Sequence, residues 1–195
     1  YNNLITQKRR ETGPEDIPRH IEYIHSQWKE YWMEEFFSDL FALYTLGPAY
    51  AWAHLHLTMK TSTDVYALSL YLPQKHPSDD ARMKMLLAAL KSLGYTDESE
   101  QIRAAWSRLP IVEISSPIHE YNYAYPDEIM EYVQRLVFDG LKESNFTLAP
   151  KETLEKLPEN NMTKLLNVAW NKFWNNPDTY REWEENKIKY LKSSI

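Results

Sequence analysis

Two carboxylates stand one helical turn apart in the segment Trp32-Met-Glu-Glu-Phe-Phe-Ser-Asp39. If this stretch is a helix, Glu35 and Asp39 lie about 40° apart on one face. Around them in sequence are Trp28, Trp32, Phe36, Phe37, Leu40, Phe41 and Leu43. Acids placed this way repel each other, and each is costly to take out of water. Something cationic is expected opposite them: a metal ion, an arginine or a shared proton. The plain alternative is that this helix face reaches solvent.

A second segment reads His76-Pro-Ser-Asp-Asp-Ala-Arg82. A histidine and a proline end a loop, a serine is placed to cap a helix, and an arginine emerges on its first turn. Taken alone, it reads as a surface loop with an exposed arginine. Taken together, Glu-x-x-x-Asp followed by His-Pro-x-x-x-x-Arg resembles the zinc metallopeptidases of the HtpX and CAAX-prenyl-protease type. The resemblance runs from about Trp28 to Gly94 and includes Gly-Pro-Ala-Tyr at 47–50. It implies that Glu35 is a zinc ligand and that Asp39 stands behind the ligands to orient a histidine. It further implies that His76 faces the developing oxyanion and that Arg82 holds Asp39 or the loop.

One element of that family is missing: there is no His-Glu-x-x-His. The histidines are His20, His25, His54, His56, His76 and His119. His119 is followed by Glu120, but position 123 is a tyrosine. Two zinc ligands and a general base are therefore expected upstream of Tyr1, in a longer protein, rather than lost. Zinc is expected as a cofactor of that intact protein only. His54 and His56 point about 200° apart on a helix and cannot chelate one metal there. His20 and His25 form a poor helical clamp. The tyrosine-rich run His119 to Tyr125 reads as extended, with its rings packed under a loop.

The elements that must position these residues are helical. The 195 residues include only 4 glycines, where average usage of roughly 7% would give about 14. So few glycines argue against hairpin-rich sandwiches and barrels and leave no Gly-rich phosphate loop. There is no cysteine, which excludes disulfides, thiolate metal sites and cysteine nucleophiles. A net charge of −6 without basic runs makes nucleic acid an unlikely partner. No Gly-x-Ser-x-Gly is present, and the sequons at Asn145 and Asn161 read as chance.

Helices are expected over 17–46, 49–59, 64–72, 79–93, 97–109, 126–142, 161–174 and 178–192, with caps at Thr12, Ser78 and Thr96. Gly47-Pro48 should break the first long run, and Gly94 should end another helix. Residues 145–160 read as a linker holding one turn at most, and Ile111 to Ser115 as a short strand or extended chain. The apolar run Phe36 to Leu57 approaches the length of a membrane span, but Asp39, His54 and His56 within it favour a core helix. Trp170, Trp174 and Trp183 read as packing anchors. The expectation is one all-α domain of about eight helices. Residues 12–94 carry the Glu helix and the His-Pro loop, and residues 95–195 the C-terminal helices. A peptide or protein substrate is expected, with no membrane span. No signal peptide is visible, and a cytoplasmic location is expected. The other reading is a non-catalytic helical interaction module on a metallopeptidase-like scaffold, or an unrelated domain whose acids meet Arg82 for structural reasons.

Overall fold

The computed structural model describes residues 19–61, 64–69, 72–109, 118–146 and 150–193. Every regular element among the described residues is helical. The expected cap at Thr12 and the expected strand at Ile111 to Ser115 lie outside the described residues.

Helix α1 (Arg19–Gln27) runs without a break through a π-helical turn (Trp28–Trp32) into α2 (Met33–Leu46). In an α-helix each four-residue step drifts by about 40°. The wider turn takes that drift back and keeps Trp28, Trp32 and Phe36 on one buried face. Trp28 stacks on Phe36 at 5.0 Å and its indole N–H donates to Ala124 O at 2.7 Å. The Trp32 indole donates to Gln74 O at 2.8 Å.

Gly47 ends α2 with φ 67° and ψ −152°, backbone that a residue with a Cβ avoids. Pro48 then opens α3 (Pro48–Thr61), where its missing N–H costs nothing. The apolar run is thus two packed helices, and no helix among the described residues is long and apolar enough to cross a membrane.

Helix α4 (Asp79–Ser92) is capped by Ser78, whose hydroxyl accepts from Ala81 N. It ends in a Schellman motif: Gly94 has φ 88°, Tyr95 N donates to Leu90 O at 2.9 Å and Gly94 N to Lys91 O at 3.1 Å. That return bond holds Tyr95 at the cap of α5 (Thr96–Trp106), so Thr96 lies inside the helix and Tyr95 makes no side-chain cap.

Helices α6 (Ile118–Ala124), α7 (Asp127–Glu143), α8 (Lys151–Lys156), α9 (Met162–Asn175) and α10 (Pro177–Ser193) follow. Helix α2 is central, packed against α3, α4 and α7, while α9 lies across α2 and α3.

Two local expectations are corrected. Residues 64–69 are turn and extended chain, not helix. Asp64 accepts from Tyr66 N at 2.9 Å, and the Gln74 side chain bridges Ser69 N and Ala67 O. Such side-chain bonds compete with a helix for the backbone. The tyrosine-rich run is helical through Ala124 rather than extended. Tyr121 and Tyr125, one turn apart, are both buried, which gives this short helix its packing face.

Candidate functional site

Three helices and one loop meet beside α2. Helix α2 presents Glu35 and Asp39, α3 presents Tyr50 and His54, and α4 presents Arg82. His76 comes from the loop before α4. Arg82 Nε donates to Asp39 Oδ2 and Arg82 Nη2 to Asp39 Oδ1, both at 2.7 Å. The Tyr50 hydroxyl donates to the same Oδ1 at 2.6 Å. Asp39 is 1% exposed. Its carboxylate is buried, neutralised by a planar guanidinium and hydrogen-bonded three times, which is the condition under which a buried charge is tolerated.

One turn earlier, Glu35 is in the opposite state. Its side chain is 30% exposed, and Oε2 lies 3.0 Å from Nδ1 of His76, itself 68% exposed. The site therefore has a saturated, dry base and an open carboxylate–imidazole pair above it. The four residues singled out in the sequence, Glu35, Asp39, His76 and Arg82, are gathered here from segments some 40 residues apart.

The electrostatics follow from burial and neighbours. Burial opposes the Arg82 charge, but the hydrogen bonds and charge of Asp39, with Tyr50 and Glu35 adding, hold its pKa above the ordinary arginine value. Burial, then the Asp39 charge and hydrogen bond, pushes the Tyr50 hydroxyl up, so it stays a donor. Burial, then the nearby Arg82 charge, pushes His54 down, against the pull of Asp39 and Asp79. His54 Nε2 is 3.4 Å from Asp79 O, and its ring lies parallel to Trp106 at 6.2 Å.

The loop bearing His76 is anchored on both sides. Before it, Gln74 N donates to Gln27 Oε1 at 2.8 Å, and the Tyr23 hydroxyl donates to Leu72 O. After it, Ser78 N donates to the Tyr125 hydroxyl at 3.0 Å. Tyr121 donates to Asp80 Oδ2 at 2.6 Å and the Trp106 indole to Asp80 Oδ1 at 3.0 Å. Asp80 is thus more than a first-turn acid: it ties α4 to α5 and α6.

Sequence reasoning missed Tyr50, His54, Asp80, Trp106 and Tyr121. Tyr50 and His54 sit at i and i+4, a spacing that puts both on one face of α3. Nothing in the sequence pairs Asp80 with Trp106 or Tyr121, because those contacts depend on how α5 and α6 dock. His56 is turned away, edge-on to Trp170 at 5.7 Å, as the two-residue spacing requires.

Zinc takes four ligands, mostly histidine and cysteine, and a catalytic site keeps three from the protein. Glu35 fits as one of them. Among the described residues, however, no three His, Asp or Glu side chains converge on a point that could hold a metal ion. The described residues alone do not make a zinc site. No protein-family model matches this chain, and neither a curated protein nor a solved structure matches it.

Proposed function

We propose that this chain is the helical C-terminal part of a zinc-dependent peptidase, in which Glu35 supplies the carboxylate ligand. The observation that supports it is the contrast along one face of α2. Asp39 is buried and satisfied three times over, while Glu35, one turn away, stays open beside an exposed histidine. Zinc, when bound, would supply the activated water for peptide hydrolysis. The chain's own residues have separate tasks. Arg82 and Tyr50 fix Asp39, Asp39 fixes the pitch and depth of α2, and the anchored loop holds His76 where an imidazole N–H can donate to a substrate oxygen. The remaining ligands would come from an upstream His-Glu-x-x-His, and the substrate is a peptide or protein. A cytoplasmic location goes with this reading.

The test uses the complete gene product and measures zinc per chain by plasma emission. About one zinc per chain, lost in Glu35→Gln with the helical spectrum unchanged, is the expected result. A product without zinc, or zinc retained in Glu35→Gln, overturns the reading. A second reading, a non-catalytic helical interaction module, is favoured by one observation: among the described residues, Glu35 has only His76 near it as a further ligand type. Under that reading the complete product carries no zinc.

A further inference from the structure

Helices α9 and α10 form an antiparallel hairpin in which no residue is buried. Helix α9 is fastened to the body by Asn167, which accepts from Ala49 N at 2.8 Å and donates to Leu46 O at 2.7 Å, and by Trp174, stacked on Trp52 at 5.0 Å. Helix α10 has α9 as its main packing partner. Between the two runs an apolar groove lined by Met162, Leu165, Leu166, Trp183, Ile188 and Leu191. Met162 is 63% exposed and Ile188 46%. An apolar groove of this kind along a two-helix hairpin is half of a four-helix arrangement.

The charges of α10 indicate what the other half is. Up to Glu185 the helix carries Asp178, Glu182, Glu184 and Glu185 against Arg181, a net −3. Beyond Asn186 it carries Lys187, Lys189 and Lys192, a net +3. This order suits the dipole of the helix itself. It is also self-complementary: about a two-fold axis crossing near Asn186, a second α10 running antiparallel sets each acidic half against a basic half. A closed two-fold contact uses the same patch on both chains and needs that kind of self-complementarity.

From the groove and the charge order together, we infer that the α9–α10 hairpin is a homodimer interface, two copies closing a four-helix bundle with their α10 helices antiparallel. It does not depend on the zinc reading.

Light scattering on the chromatographed 195-residue chain should give a mass near twice the 23.2 kDa of one chain. Ile188→Asp should give a monomer with the same helical spectrum. Two charge variants test the pairing itself. Lys189→Glu with Lys192→Glu makes α10 acidic throughout, and Glu182→Lys with Glu185→Lys makes it basic throughout or nearly so. Each should be monomeric alone, and their mixture should recover the dimer. A monomeric wild type overturns the inference and leaves the groove to another protein or to another part of the gene product. A dimer that survives Ile188→Asp also overturns it, by placing the contact elsewhere. Variants that stay apart on mixing overturn the antiparallel arrangement.

Discussion

Asp39 and Arg82 illustrate what burial does to an ion pair. Replacing one partner leaves the other charged, dry and unpaired, and such losses run to about 3 kcal/mol or more. Arg82→Ala should therefore lower the unfolding free energy by about 3 kcal/mol, read from urea midpoints. Lys84, whose contact with Asp127 at 3.1 Å lies between two well-exposed side chains, should change little when replaced by alanine, because water and salt screen that pair. Equal effects of the two substitutions would mean that Asp39 is not held as described. His54 allows a test by pH. Burial, then Arg82, lowers its pKa below the ordinary 6.5, so the folded chain keeps it neutral where the unfolded chain takes up a proton. The unfolded state then binds more protons, and stability falls as pH drops below about 6.5, down to the lowered folded value. His54→Gln should remove that part of the acid slope, with the other histidines cancelling in the comparison. Stability measured at about pH 7.5 and 5.5, on either side of the ordinary histidine value, would sink this if wild type and variant lost the same amount.

At the scale of elements, the break after α2 places Tyr50 and His54 over Asp39. Gly47 occupies backbone that is nearly reserved for glycine, and a Cβ there would meet the Tyr95 hydroxyl at 3.3 Å and the Asn167 amide at 3.6 Å. Gly94 also has positive φ, but its Cβ would meet only Lys151 Cβ at 3.9 Å. Gly47→Ala should thus cost more than Gly94→Ala, about 2 kcal/mol by the usual scale of such strain, and thermal unfolding of both variants checks the order. The break itself was legible, because Gly-Pro inside an apolar run has few other meanings. So were Ser78 and Gly94, since caps and stops are local chemistry. Residues 64–69 were misread because Thr61-Ser-Thr-Asp64 resembles a cap, while the bonds that win come from Gln74 and from Asp64 itself. The helix at Ile118–Ala124 was missed for a related reason: tyrosine is indifferent between helix and strand, and its buried face exists only once Ser78 and Asp80 are there to meet it. Glu35, Asp39, His76 and Arg82 could be singled out because a motif links them. Tyr50 and His54 had spacing alone.

On the scale of the whole molecule, the helices form a stable cradle for a site that this chain does not complete. The core around Trp28, Trp32, Phe36, Leu40 and Leu86 is continuous, and the Asp39 cluster sits within it, so the fold has no need of a metal to form. Zinc affinity comes from several ligands converging with their hydrogen-bond partners already in place. Here one carboxylate and one exposed imidazole are close. His54 is committed to Asp79 O and Trp106, beside the cationic Arg82, and His56 faces Trp170 and Phe173. Moving either onto Glu35 would mean turning α3 against its packing. Titration calorimetry of the 195-residue chain should accordingly show no zinc binding tighter than about micromolar, the weak regime in which a two-ligand site holds a metal by about 8 kcal/mol or less. Submicromolar binding abolished by Glu35→Gln would show that a third ligand reaches Glu35 from within the chain. The peptidase reading would then no longer need an upstream pair of histidines, and the ligand would have to be sought among the residues outside those described.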